Sequence, residues 1–216
     1  ILKAYAEWGA ACVEKLHGMF AFVVWDMRKQ QLFMARDRMG IKPLYYSLDN
    51  NRLLFASNVQ ALLATNDIDT SISSVGLHHQ LTLHAVIPAP HTILNGVKKM
   101  RPAHSLQFKK DGSYHEQRYW HLNATRPAQK RSEQEWIEAI HLSLKAAVET
   151  HKTVADVPVG VLLSGGLDSS LLVGLLHEAG VGNLQTFTVG FEDQPEEKGS
   201  EFEYSDPVVE RFGTQH

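Results

Sequence analysis

Residues 159–170 read VGVLLSGGLDSS, and they are the most informative segment for the fold of the second half of the chain. The continuous apolar run 159–163 predicts a buried parallel strand, because such strands are covered on both faces. The periodicity after it predicts a helix over 168–179, ending at Gly180, and a second strand over 185–189. Strand, helix and parallel strand together form a βαβ unit.

The loop between the first strand and the helix has the composition of an anion site. Its two adjacent glycines allow close backbone approach and positive φ angles. Backbone N–H groups and the start of the helix attract anions, and three serine hydroxyls add donors for phosphate oxygens. Asp168 is placed to hold a Mg²⁺ ion that neutralises phosphates. The lysine of the G-x-x-x-x-G-K-[ST] phosphate loop is absent. The alternative is a plain glycine turn with Asp168 and Ser169 as helix caps.

The first 120 residues have a different pattern. Helical spacing of apolar residues over 1–17, with Cys12 among them, predicts an amphipathic helix that ends at Gly18. Short apolar runs separated by polar turns predict three hairpins, and two further segments predict helices. The hairpins span 19–35, 45–56 and 104–119, and the helices span 58–64 and 74–84.

The chain is predicted to contain two domains, residues 1–120 and residues 132–216. Residues 121–131 are polar and lack periodicity, as in a linker. Ser132 and Glu135 then form a capping box, which begins a long helix. A last helix is predicted around 203–211. The fold class is therefore α/β, with an antiparallel β-rich first part followed by a parallel α/β part.

Composition excludes several classes of protein. The chain has 216 residues, 44% hydrophobic and 21% charged, with a net charge of −3. These values argue against extended disorder, nucleic-acid binding and attachment to anionic membranes. No apolar run approaches the roughly 20 residues of a membrane helix. A single cysteine excludes an internal disulfide and a multi-cysteine zinc site. We therefore expect a cytoplasmic protein.

Both ends of the chain fall within or next to predicted secondary structure elements. We therefore also expect a fragment in which both domains are truncated.

Three segments resemble one enzyme family. The SGGLDSS loop resembles the pyrophosphate loop of the N-type ATP pyrophosphatases, and together with 156–163 it resembles asparagine synthetase. Upstream, 16–22 (LHGMFAF) and 35–46 (ARDRMGIKPLYY) resemble the later part of that family's class II glutamine amidotransferase domain. The resemblance covers essentially the whole chain. It implies part of an αββα sandwich, followed by the start of an ATP-pyrophosphatase domain.

The resemblance also implies a reaction and its partners. The first domain of the family hydrolyses glutamine, and the second uses ATP and Mg²⁺ to adenylate a carboxylate, by default that of aspartate. Ammonia then displaces AMP to form the amide. The full-length protein could form a homodimer.

Site residues follow from the same resemblance. Asp37 matches a residue that binds the α-amino group of glutamine, although beside Arg36 and Arg38 it could equally form a surface ion pair. Leu163 and Val189 match residues that contact the adenylate. The residues that match the pyrophosphate loop are Ser164, Gly165, Gly166, Leu167, Asp168, Ser169 and Ser170, with Asp168 as the metal ligand.

The sequence also departs from the family. The family's glutaminase nucleophile is an N-terminal cysteine, whereas Cys12 lies on an apolar helix face and is predicted to be core. No catalytic residue is therefore predicted here, and we expect these 216 residues alone to be inactive. Three alternatives stay open. Residues 84–99 resemble the N-acetylglutaminylglutamine amidotransferases, which amidate a dipeptide. An ATP-only ligase without glutaminase activity and a non-catalytic remnant are the other two.

Overall fold

The computed structural model describes residues 1–49, 52–126, 129–155, 157–192, 200 and 202–216. Within these ranges the chain divides into two compact units, Ile1–Thr125 and Arg126–His216. The division falls between 121 and 131, where a linker is expected, and the assignment of two domains stays a prediction.

The first unit contains four short helices and seven strands within the described residues. The helices are α1 (Leu2–Trp8), α2 (Cys12–Lys15), α3 (Val59–Leu63) and α4 (Ser74–Thr82). The strands are β1 (Ala21–Asp26), β2 (Gln31–Arg36), β3 (Tyr45–Leu48), β4 (Leu53–Ala56), β5 (Lys98–Lys99), β6 (His104–Lys109) and β7 (Tyr114–Arg118). They form a four-stranded sheet, β1-β2-β6-β7, and a three-stranded sheet, β4-β3-β5. All of these pairings are antiparallel, and the three predicted hairpins are confirmed.

Strand β2 is the centre of the first unit because both of its faces are covered. Phe33 and Ala35 belong to a buried cluster with residues of α1 and α2. Met34 points to the opposite face, as the pleat requires, and packs with residues of β3 and β6 such as Tyr46 and Leu106. The unit is therefore layered as α1 and α2, then the four-stranded sheet, then the three-stranded sheet.

The predicted single helix over 1–17 is wrong. The chain forms α1, a short 3-10 turn at Gly9–Ala11 and then α2, which ends at Lys15. Gly9 has φ of +56°, which is incompatible with a continuing helix, and Leu16 is already extended. Gly18 is thus not the residue that ends a helix. Cys12 has no exposed surface, as predicted, and its burial raises the pKa of the thiol.

The second unit contains the predicted βαβ arrangement. Its described elements are α5 (Glu133–Val154), β8 (Gly160–Leu162), α6 (Leu167–Glu178), β9 (Gln185–Phe187) and α7 (Phe202–Phe212). Strands β8 and β9 pair in parallel, with Val161 opposite Thr186, so the predicted topology is confirmed. The capping box is present as predicted: Ser132 Oγ accepts from the Glu135 N–H, and the Glu135 carboxylate accepts from the Ser132 N–H.

One expectation about this unit is wrong. The apolar run 159–163 predicted a strand buried on both faces, but the Leu162 side chain is 77% exposed. Val161 and Leu163 belong to the buried cluster of the unit, together with residues of α5 and α6. Since side chains alternate along a strand, Leu162 points to the face that the described helices do not cover.

Candidate functional site

The predicted anion-binding loop lies at the carboxyl end of β8, where it leads into α6. Gly165 has φ of +76°, a conformation that glycine adopts without steric cost. Gly166 is the N-cap of α6, and no side chain caps the helix. The first backbone N–H groups of α6 therefore keep donors for an anion.

Two serine hydroxyls converge on this loop. Ser164 Oγ and Ser169 Oγ are 3.2 Å apart, Ser169 Oγ donates to the Gly166 carbonyl at 3.2 Å, and the Gly166 N–H donates to Ser164 Oγ at 3.4 Å. These long contacts link the loop to the helix, and hydroxyls can rotate toward another acceptor. Ser170 Oγ is buried and has no partner among the described residues. The loop thus offers several donors to a ligand.

Leu163 and Val189 occupy opposite environments. Leu163 is 1% exposed, its N–H donates to the Phe187 carbonyl at 2.8 Å, and its carbonyl accepts from Thr188 Oγ1. Its side chain therefore supports the strand edge from within the core. Val189 is exposed and is free to contact a ligand. Thr188, to which no sequence motif assigned a role, joins the residues that follow β8 and β9.

Asp168 lies in the first turn of α6 with an exposed carboxylate that no described residue pairs with. It borders a largely apolar pocket of about 490 Å³ between α5, β8 and α6, which none of the other predicted loop residues lines. The described residues include no group of three or more histidines, cysteines or acidic residues arranged to hold a metal. Mg²⁺ needs only one or two protein carboxylates when substrate phosphates supply the other oxygens, so Asp168 fits that kind of ion.

Asp37 has a different environment from the one expected. The side chain is 1% exposed and accepts four backbone N–H groups: Met39 at 3.2 Å and Ile41 at 2.9 Å on Oδ1, and Phe20 at 3.3 Å and Lys42 at 2.9 Å on Oδ2. A carboxylate has about four acceptor positions, and all four are used. A surface ion pair is therefore wrong. These four bonds support the loop that follows β2, and the role of Asp37 in binding the α-amino group of glutamine stays a prediction.

Arg36 holds the same loop from the other side. Its guanidinium donates to the carbonyls of Gly40 at 2.6 Å, Lys42 at 2.8 Å and Met100 at 2.6 Å. The Arg36 carbonyl accepts from the Tyr119 hydroxyl at 2.6 Å. Gly40 has φ of +68°, and a Cβ on it would lie 3.2 Å from the Arg36 guanidinium carbon. Arg36 and Asp37 together thus form a clamp, a set of hydrogen bonds that fixes residues 39–42.

Burial dominates the electrostatics around the clamp. It lowers the pKa of Arg36, while the charge of Asp37 opposes that shift. Burial also lowers the pKa of Lys99, with the positive charge of Arg36 as a second cause. Lys99 Nζ donates to the Ile87 carbonyl at 2.8 Å, so this ammonium serves the local backbone. Arg36 and Lys99 thus both donate to backbone carbonyls of nearby loops.

No helix among the described residues combines the length and the apolar character that crossing a membrane requires.

Comparisons with known proteins find a family match for each half of the chain. The family model for the glutamine amidotransferase domain matches residues 1–120, and that for asparagine synthase matches residues 139–216. Asparagine synthetase [glutamine-hydrolyzing] 3 of Bacillus subtilis is 35% identical over all of this chain, which covers 36% of that protein. Putative asparagine synthetase [glutamine-hydrolyzing] 2 of Methanocaldococcus jannaschii is also 35% identical over the whole chain, which covers 41% of it.

The chain thus spans about two fifths of the length of these curated relatives. Among solved structures, the glutamine phosphoribosylpyrophosphate amidotransferase of B. subtilis is 15% identical with a TM-score of 0.33, covering 88% of this chain and 38% of the other. A similarity this weak carries no argument. The two family models, in the order found here, and the curated relatives show that the chain belongs to the glutamine-hydrolysing asparagine synthetase family.

Proposed function

We propose that this chain is part of a glutamine-dependent amidotransferase that makes asparagine from aspartate with ATP. The observation that carries the proposal is the Ser164–Ser170 loop, which follows a parallel strand and precedes an uncapped helix. We also propose that residues 1–120 belong to an αββα glutaminase domain and residues 132–216 to an ATP-pyrophosphatase domain. The family matches support these assignments.

The proposed reaction has two bond-forming steps at the aspartate side chain. A carboxylate oxygen attacks the α-phosphorus of ATP, the bond between that phosphorus and the bridging oxygen breaks, and pyrophosphate leaves. Ammonia, released by hydrolysis of glutamine, then attacks the carbonyl carbon of the adenylate. AMP leaves with the electrons of the carbon–oxygen bond, and the amide loses a proton to solvent.

The loop residues have distinct roles in this proposal. The hydroxyls of Ser164 and Ser169 donate hydrogen bonds to oxygens of the β- and γ-phosphates. The backbone N–H groups from Gly165 to the start of α6 surround the same oxygens. Such fixed donors stabilise the negative charge that grows on pyrophosphate as it leaves. Val189 packs against the adenosine. Bound Mg²⁺, held in part by Asp168, would reduce the phosphate charge.

Equilibrium binding tests the proposal. We expect the chain to bind Mg·ATP, and we expect inorganic pyrophosphate to compete. The double variant Ser164→Ala/Ser169→Ala should weaken Mg·ATP at least tenfold, since two donors are lost from the site. Ser143→Ala is the matched control, because its hydroxyl donates to the Ala139 carbonyl within α5. Equal affinity in the wild type and the double variant would contradict the proposal.

A further inference from the structure

The first turn of α7 lies directly against the anion-binding loop. A Cβ built on Gly165 would lie 2.6 Å from the backbone nitrogen of Ser205, and it would also collide with the carbonyl carbon and the Cβ of Tyr204. The backbone of the loop and the backbone of the helix are therefore in van der Waals contact, with no side chain between them.

The same turn also contacts the second segment proposed to bind ATP. A Cβ built on Gly190, the residue after Val189, would lie 2.7 Å from Cζ and 2.8 Å from Cε2 of the Phe202 ring. One helical turn thus touches Gly165 on one side of the site and Gly190 on the other. Its position affects both segments.

Ser205 lies in this turn, on the face of α7 that is turned toward the interior of the unit. It has no exposed surface, and among the described residues its hydroxyl donates only to the Phe202 carbonyl of its own helix, at 3.4 Å. Further along α7, Val208 and Val209 pack against the buried cluster of the unit and anchor the helix. A larger side chain at a position with no exposed surface must displace its neighbours, and the backbone of Gly165 is one of them.

We propose that Ser205 is a positioning residue: its small side chain lets α7 pack against Gly165 and holds the loop in the conformation that binds phosphates. The inference rests on the proposed function of that loop. It predicts that the size of residue 205, and not its hydroxyl, controls the affinity for Mg·ATP. Ser205 itself touches no substrate.

Two substitutions separate size from hydrogen bonding. Ser205→Ala keeps the small volume and should bind Mg·ATP within twofold of the wild type. Ser205→Val adds bulk and should bind Mg·ATP and inorganic pyrophosphate at least tenfold more weakly, measured on the folded fraction established by denaturant unfolding. A purely structural role would lower stability but leave the affinity of the folded fraction unchanged. That result, or a tenfold loss in Ser205→Ala, would overturn the inference.

Amide hydrogen exchange on the wild type decides the matter if Ser205→Val does not fold. Mg·ATP should slow exchange at Tyr204 and Ser205 as well as at Gly165 and Gly166, whereas the first turn of α5 should not change. Protection of the loop alone would overturn the inference and leave the proposed function intact. A wild-type chain that binds neither Mg·ATP nor pyrophosphate would overturn the proposed function, and the inference with it.

Discussion

Replacing Asp37 by asparagine tests whether this carboxylate supports the fold or binds a ligand. The substitution keeps the shape of the side chain but turns one of its two oxygens into an NH₂ group. Each oxygen accepts two backbone N–H groups, from Met39 and Ile41 on one side and from Phe20 and Lys42 on the other. Whichever way the amide is turned, two partly buried N–H groups lose their acceptor and face another donor.

The expected loss follows from those two bonds. A hydrogen bond to a charged group contributes about 1.5–3 kcal/mol, so losing two lowers the free energy of unfolding by about 3–6 kcal/mol. Native domains are stable by only about 5–15 kcal/mol, so Asp37→Asn should bring the first unit close to unfolding. A residue that serves only to bind glutamine would lose affinity and leave this free energy unchanged.

Urea unfolding, followed by hydrogen exchange of β2 peptides, measures the stability of the first unit separately from the second. Asp111→Asn is the matched control: Asp111 accepts from the Ser113 N–H at 2.9 Å in an exposed turn, where water can replace it. We expect little change in the control. Each backbone donor that loses its acceptor should cost more than about 1 kcal/mol. A smaller decrease in the free energy of unfolding of Asp37→Asn would therefore refute the structural role.

Three further predictions concern the core, the loop and alkaline pH. Leu106→Ala, at a side chain 1% exposed, should lower the free energy of unfolding by about 2–5 kcal/mol, whereas Leu162→Ala, at a side chain 77% exposed, should change it little in the same denaturant titration. Gly165→Ala should cost about 1–2 kcal/mol for its positive φ and should also weaken Mg·ATP in a binding titration; unchanged affinity would contradict the contact with α7. Burial raises the pKa of Tyr46 and of Tyr119 from 10 to about 12. Because the unfolded chain releases these protons first, their contribution to stability is complete below pH 10 and is lost as the pH rises toward 12. Tyrosinate absorbance and unfolding, both measured against pH, check this, and titration of all six tyrosines near pH 10 would contradict it.

Local patterns were enough to predict the hairpins, the capping box and the βαβ unit. The turn at Gly112 joins strands only a few residues apart, and Ser132 bonds Glu135 within one helical turn. The parallel pairing of β8 with β9 follows from the intervening helix, because parallel neighbours need such a crossover. In each case the residues that decide the structure lie within one short segment.

Contacts between distant segments could not be predicted in this way. The four-stranded sheet depends on the pairing of β2 with β6, where Gln31 lies opposite Lys109, and no local pattern encodes that register. Asp37 between two arginines looks like a surface residue, and only the folded chain shows its four backbone donors. The helix break at Gly9 likewise went unpredicted, because the apolar spacing continues through it.

The same distinction between local and distant contacts holds for the candidate site. The glycines and serines of the loop are adjacent in sequence, so their role could be proposed before the structure. The contact of Gly165 with Ser205 joins residues 40 positions apart. A glycine at position 165 indicates that another segment can pack closely against the loop. The sequence does not show that this segment is α7.

Assignment of the backbone amides by NMR, followed by a Mg·ATP titration, tests whether the Ser164–Ser170 loop binds the nucleotide. We expect saturable shifts at Gly165, Gly166 and Ser169 that inorganic pyrophosphate reproduces for the same amides. Shifts confined to other parts of the chain, or none at saturating Mg·ATP, would contradict the assignment of this loop as the nucleotide site.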